Sequence, residues 1–154
     1  MKTPTIGYEN DTTLYRSEVA RVQLVEAIAL FVDTKFLAAL TLAGAAEEIL
    51  GKLVVRQAKL PVIREAAQAI ARLRDATGLF IMEGKPEKEL IDGWNAGRNT
   101  AKHLVAPEED MVTLNLCDEA YWMIGRALQN ATNLHICIEN QNEFDNWFII
   151  NVAT

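Results

Sequence analysis

The chain has 154 residues, half of them hydrophobic, which suits one folded domain with a substantial core and excludes a disordered chain. Its formal net charge of −6 gives no general attraction for nucleic acid, so an RNA-binding role would need a local cluster of cations. Cys117 and Cys137 form no CxxC motif, which argues against a zinc or redox site and favours a reduced, cytoplasmic setting. We expect no secretory signal and no membrane span, because the N-terminus is polar and the most apolar stretch, residues 36–51, is short and charged.

Two helices are predicted in the first third of the chain. Residues 1–14 are expected to form a loose arm, and from Arg16 apolar residues recur at three- and four-residue steps, which predicts a first helix. Asp33 and Thr34 offer side-chain oxygens that could cap a second helix over residues 35–55. This second helix is rich in Ala and Leu and contains Gly44, so we expect it to be the central, most buried helix, with another backbone approaching closely at that glycine.

Three further helices are predicted after the second. Each of three interior prolines opens an amphipathic or acidic run, and proline is favoured at the first position of a helix. The runs predict helices over residues 61–81, 86–105 and 107–133. Gly78 lies inside the first of these, which favours an end near Thr77.

The fold class follows from these helices. No region shows the alternation of strands, and no internal repeat is evident. Residues 137–154 are compatible with either a short docking helix or an extended tail. The prediction is therefore a single all-α domain over residues 1–154, folded as an antiparallel bundle of four to five helices.

The segment from Arg98 to His103 is the strongest candidate for chemistry. It combines a permanent cation with an imidazole five positions later, near the end of a predicted helix. On an ideal helix these two side chains are separated by about 140°, whereas Asn95, Asn99 and His103 share one stripe and Lys102 lies beside Arg98. Convergence on one phosphate would therefore need a distorted helix end, a long reach by the arginine, or a second subunit.

These residue types suit RNA cleavage that requires neither a metal nor a cofactor. A 2′-hydroxyl attacks the adjacent phosphorus, a base removes its proton, an acid protonates the leaving 5′-oxygen, and a cation stabilises the charge that develops. Imidazole titrates near neutral pH and guanidinium binds phosphate oxygens in pairs, so both groups fit these roles. The alternative is that the segment is simply the polar C-terminal end of a helix, where cations are favoured.

Arg98 and Asn99, followed after three residues by His103, resemble the R-x4-6-H motif of the HEPN superfamily. The resemblance covers the helical body from about residue 16 to residue 133, although only this hexad is specific. It implies a homodimer whose motif helices meet at the interface, with Arg98, His103 and Asn99 in the catalytic set. It also implies a metal-independent endoribonuclease in a toxin–antitoxin, phage-defence or RNA-processing system, with an antitoxin or nucleotidyltransferase as partner, although some members of the superfamily are non-catalytic.

The chain departs from one subgroup of that superfamily. Toxin-type members often carry a tyrosine shortly after the histidine, whereas Leu104 and Val105 follow here, and Tyr121 is too distant to match. This departure bears on the toxin subgroup rather than on the fold.

Supporting residues are sought near the motif and on the Ala-rich helix. Lys102 and Asn95 lie on the motif helix, and Glu48 is the acidic candidate. A carboxylate on a buried helix is costly unless it is paired, so the alternative is that Glu47 or Glu48 is exposed or pairs with an arginine such as Arg56. No Glu-x-x-His pair occurs, which excludes a di-iron bundle, and no metal site is predicted.

The remaining histidine and the large aromatic residues are given structural interpretations. His135 follows the last long helix and is interpreted as a cation near a helix end. Trp94, Trp122, Trp147 and Phe148 are interpreted as core or interface residues rather than as a base-stacking platform. Two functions therefore stay open, a HEPN-like homodimer that cleaves RNA and a non-catalytic dimeric helical interaction module.

Overall fold

The structure, a computed structural model, describes residue 4, residues 6–103 and residues 110–153. They form six α-helices: α1 Arg16–Val32, α2 Phe36–Arg56, α3 Val62–Thr77, α4 Glu87–Lys102, α5 Leu116–Asn133 and α6 Gln141–Asn151. A short 3₁₀ turn, Ile81–Gly84, links α3 to α4, and the described residues contain no strand. The all-α prediction is confirmed. The helix count exceeds the predicted four to five because the C-terminal tail, left open as helix or extended chain, forms α6.

The core lies between α1, α2 and α5. The largest fully buried side chains in it include Leu24, Ile28 and Phe31 of α1, Leu40 and Leu50 of α2, and Met123 and Ile124 of α5. Each large apolar side chain buried in this way contributes roughly 1.5–3 kcal/mol. Helix α2 packs against α1, α5 and α4, as expected for the central helix.

Aromatic contacts attach α6 to this core. The ring of Phe31 lies 4.7 Å from that of Trp147 and 5.5 Å from that of Phe144. Trp147 is therefore a core residue as predicted, whereas Trp122 on α5 is exposed. Offset and edge-to-face ring pairs of this kind add to the stability gained from burial alone.

Helices α3 and α4 form an outer layer, with few buried residues in either. Gly78 ends α3 in the left-handed conformation, with φ of 67°, directly after Thr77. The expected end near Thr77 is therefore confirmed. The predicted extension of this helix to residue 81 is wrong, because glycine at that position stops the helix without steric cost.

Two other predicted helix starts are corrected. The cap position before α2 is Lys35 and no side chain caps it, so Asp33 and Thr34 do not have the expected role. Helix α5 begins at Leu116, nine residues later than predicted, after the side chain of Asn115 accepts a hydrogen bond from the backbone N–H of Asp118 at 3.2 Å. Asparagine is a strong N-cap, which favours a start here. The proline expected to open this helix lies outside the described residues.

None of the helices in the described part of the chain is both long and apolar enough to cross a membrane.

Candidate functional site

Helix α4 carries the predicted motif and ends within it. Arg98, Asn99 and Lys102 belong to the helix, whereas His103 follows it in an extended conformation, with φ of −130° and ψ of 144°. The backbone N–H of His103 still donates to the carbonyl of Asn99 at 2.9 Å, and its side chain is exposed. The imidazole is therefore at the end of the last turn rather than on the side of the helix. Residues 104–109 lie outside the described residues.

Arg98 is turned inward toward α2. Its side chain is only 18% exposed, and its aliphatic part lies against Gly44. A Cβ atom at Gly44 would stand 2.5 Å from Cδ of Arg98, which is far closer than van der Waals contact allows. The close approach at the glycine of the central helix is made by the side chain of Arg98, so the prediction of a close backbone approach there is wrong.

Glu47 is the buried anion that faces Arg98. Its side chain is 7% exposed, and its Oε2 lies 3.6 Å from Nη1 of Arg98 and 3.8 Å from Nη2 of Arg126. Both distances exceed those of a hydrogen bond, so Glu47 is held by charge between two guanidinium groups. A buried carboxylate is tolerated only with such compensation.

Arg126 of α5 is fixed by groups other than Glu47. Its Nη2 donates to Oδ1 of Asn95 at 2.8 Å and contacts Sδ of Met123 at 3.0 Å, while Nη1 donates to the carbonyl of Trp94 at 3.3 Å. Burial lowers the pKa of Arg126, although the charge of Glu47 opposes this effect. An arginine stays protonated even then. Asn95 therefore acts here as a partner of Arg126.

Asn99 is a partner of Arg98. Its Oδ1 accepts from both Nε and Nη2 of the guanidinium, each at 3.3 Å. Asn99 therefore orients the arginine. Among the described residues, no hydrogen bond joins Asn99 to the side chain of His103.

Arg98 and Lys102 line a narrow cleft. The cleft has a volume of about 110 Å³, and its walls are formed by Thr41, Gly44, Ala45, Glu48, Arg98 and Lys102. The motif cations, the predicted acidic residue Glu48 and the glycine of α2 are therefore neighbours. We refer to this feature as the Arg98 cleft.

Glu48 differs from its neighbour Glu47 in being exposed. Its side chain is 47% exposed and forms an ion pair of 2.7 Å with Lys52, one turn later on α2. The hydrogen bond from Lys52 lowers the pKa of the Glu48 carboxyl. The charges of Arg98 and Lys102 lower that pKa further. The alternative interpretation of the two glutamates is therefore confirmed, since Glu48 is exposed and Glu47 faces arginines, although Arg56 is not one of them.

Sequence reasoning missed two residues of this arrangement. Arg126 was not singled out, although a charged residue between Met123 and Ala127 on an apolar helix face signals a buried partner. Glu119 was also missed: its carboxylate occupies the space beside Gly97, where a Cβ atom would come within 2.1 Å of Oε2. The small residue before Arg98 thus admits an acidic side chain from α5.

Comparison of the chain with protein-family models, with curated proteins and with solved structures finds no match.

The arrangement offers cations for a phosphate and a titratable group beside them. Arg98 and Lys102 are positive and border an open cleft, and His103 is accessible one residue beyond Lys102. Among the described residues no group of three or more His, Cys, Asp or Glu side chains is placed to hold a metal ion. These side chains are suited to bind a phosphodiester and to transfer a proton through the imidazole.

Proposed function

We propose that the chain is a HEPN-like homodimer that binds RNA and cleaves it without a metal ion, with Arg98 and His103 as catalytic residues. The observation that carries this proposal is the placement of Arg98. It is backed by a buried carboxylate, oriented by Asn99 and directed along the wall of a cleft that it shares with Lys102. A guanidinium at the wall of such a cleft can bind two oxygens of one phosphate.

The residues then have distinct roles in the transesterification. The imidazole of His103 takes the proton of the 2′-hydroxyl while the O2′–P bond forms. The P–O5′ bond breaks as a water molecule donates a proton to the leaving oxygen, and the resulting hydroxide takes the proton from the imidazolium. Arg98 stabilises the negative charge on the phosphorane oxygens, and Lys102 holds an adjacent phosphate. The products are a 2′,3′-cyclic phosphate and a free 5′-hydroxyl.

An apolar groove beside the motif supports the dimer. It is lined by Thr34, Lys35, Phe36, Leu37, Ala38, Thr41, Leu42 and Leu116, and Leu37 is 52% exposed. Thr41 belongs to both this groove and the Arg98 cleft, so the two surfaces are continuous. A second copy seated on the groove would bury apolar surface and bring its own motif to the cleft.

Cleavage is tested by matched substitutions of the two histidines. A labelled single-stranded RNA is incubated with the protein in excess EDTA, and the 2′,3′-cyclic ends are quantified. His103→Asn is expected to lower the rate about 10²–10⁴-fold because it removes the proton-transfer group. His135→Asn is the control, since His135 is exposed, has φ of 58°, and asparagine tolerates that conformation. Undiminished cleavage by His103→Asn would exclude the catalytic role.

The biological setting follows from the same activity. An RNA-cleaving protein in a toxin–antitoxin system would act on cytoplasmic RNA and would be restrained by an antitoxin or nucleotidyltransferase. Induced expression of the wild type is then expected to arrest growth, and His103→Asn to abolish the arrest. Growth arrest by both proteins would show that toxicity does not depend on His103.

A second function, a non-catalytic dimeric interaction module, is favoured by one specific observation. The guanidinium of Arg98 already has partners in Glu47 and Asn99, and the chain carries a net charge of −6. In that case the motif stabilises the dimer. Arg98→Ala would reduce the dimer mass measured by sedimentation, with no cleavage by the wild type. A fully retained dimer would count against this second function.

A further inference from the structure

The two guanidinium groups that face Glu47 are held very differently. Arg126 is 14% exposed and is anchored on α4 and α5 through Asn95, the carbonyl of Trp94 and Met123. Among the described residues, the side chain of Arg98 donates hydrogen bonds only to its neighbour Asn99, at 3.3 Å. One cation is therefore hydrogen-bonded to a neighbouring helix, and the other is hydrogen-bonded within its own helix.

Glu47 bonds tightly to neither of them. The separations of 3.6 Å and 3.8 Å are those of an ion pair without a hydrogen bond. Arg98 can therefore leave Glu47 without breaking a hydrogen bond to it. The obstacle to its leaving is electrostatic, because a buried carboxylate with no counter-ion is strongly disfavoured.

We propose that Arg126 is a positioning residue that keeps Glu47 paired while Arg98 exchanges Glu47 for a phosphate of the bound RNA. This inference rests on the proposed function and adds to it how Arg98 becomes free to bind a phosphate of the RNA. Arg126 is hydrogen-bonded inside the bundle and is not among the residues that line the Arg98 cleft, so in this proposal it does not touch the substrate. It acts by making Arg98 available.

A neighbouring position shows why the exchange needs no helix movement. Gly44 leaves room for the aliphatic part of Arg98 to lie on α2, and Arg98 is one of the residues that line the Arg98 cleft. A rotation within this one side chain would move its charge from the buried carboxylate into the cleft. Lys102, on the same wall, would attract the phosphate to that position.

The inference predicts how binding changes when the fixed cation is removed. In Arg126→Gln, Glu47 has Arg98 as its remaining guanidinium partner and holds it away from the cleft. If the fraction of protein with Arg98 available falls to about one tenth, the apparent Kd rises about tenfold. Where Arg98 stays on Glu47 in the complex as well, one phosphate contact is lost, and the slope of log Kd against log salt falls by roughly 0.7. The double variant Glu47→Gln/Arg126→Gln is expected to recover both values, because a neutral glutamine does not retain Arg98.

The test uses the full chain and a 2′-O-methyl oligoribonucleotide, which cannot be cleaved. Kd is measured by fluorescence anisotropy at several salt concentrations for the wild type, Arg98→Ala, Arg126→Gln, Arg126→Lys and the double variant. Circular dichroism establishes that each variant is folded, and Arg126→Lys keeps the charge if Arg126→Gln fails to fold. A purely structural role would lower the melting temperature while leaving the Kd and salt slope of the folded protein unchanged, and that result would overturn the inference.

The same titration separates this inference from the function on which it rests. If Arg98→Ala weakens binding and Arg126→Gln does not, the exchange is wrong and the RNA site stands. If the wild type and Arg98→Ala bind the oligonucleotide equally, both the RNA site and the exchange are wrong. Weakened binding in Arg126→Gln with recovery in the double variant supports both.

Discussion

Glu47 and Glu48 are adjacent in the sequence and lie in opposite surroundings. Glu47 is 7% exposed and faces two arginines from α4 and α5, whereas Glu48 is 47% exposed and pairs with Lys52 on its own helix. One residue along a helix is a rotation of about 100°, which here separates the interior from the surface. The comparison shows that a charged pair in the sequence can contain one residue that holds a site together and one that borders it.

The largest expected effect is a difference in the free energy of unfolding between two variants, each of which lacks one of the glutamates. Glu47→Ala leaves Arg126 buried without its counter-ion, and breaking a buried pair costs about 3–5 kcal/mol. Glu48→Ala removes an exposed pair worth at most about 1 kcal/mol. Urea denaturation of the two variants measures both free energies of unfolding. Equal losses in the free energy of unfolding would contradict the expectation that Glu47 stabilises the fold more than Glu48 does.

A smaller effect is expected from filling the space under Arg98. Gly44→Ala gains up to about 1 kcal/mol of helix propensity, and forcing the Arg98 stem aside costs about 1–3 kcal/mol. Gly125→Ala is the matched control, since a Cβ atom there meets nothing within 4 Å and the full propensity gain is expected. Thermal unfolding compares the two. Gly44→Ala as stable as Gly125→Ala would show that Arg98 moves aside freely.

The smallest expected effect is a change with pH in the stability that Glu48 contributes. Its pKa is lowered in the folded chain by the hydrogen bond from Lys52, so the pair contributes stability above the pKa of the unfolded state, about 4.3. This contribution is lost as pH falls through the lower, folded pKa. The free energies of unfolding of the wild type and Glu48→Gln should therefore differ by less than about 1 kcal/mol at neutral pH and converge in acid. A difference that grows below pH 4 would contradict this sign.

The parts of the fold that sequence patterns predicted are those that local interactions determine. The start of α1 at Arg16 and the end of α3 at Thr77 follow from apolar spacing and from a helix-stopping glycine. The predicted start of α5 at a proline, which lies outside the described residues, is wrong, because the helix begins after a cap at Asn115. Several helix-start signals competed within a short stretch, and their strengths cannot be ranked from the sequence alone.

The candidate site was predictable only in part, for a different reason. Arg98, Lys102 and Glu48 were identified from their types and spacing, and the structure places them at one cleft. The partners of Glu47 could not be found in this way, because Arg98 and Arg126 come from helices 51 and 79 residues further along the chain. Pairing across helices depends on their rotation and packing, and sequence spacing constrains these weakly.

The most direct test of a site completed by two copies is to mix two inactive variants. Arg98→Ala and His103→Asn are each purified, combined in equal amounts and allowed to exchange subunits, and RNA cleavage is then measured in EDTA. If Arg98 of one copy acts with His103 of the other, random pairing restores roughly a quarter of the wild-type activity, since half of the dimers carry one intact site. Mixed dimers that form, as shown by native mass spectrometry, and yet cleave no RNA would contradict the shared site.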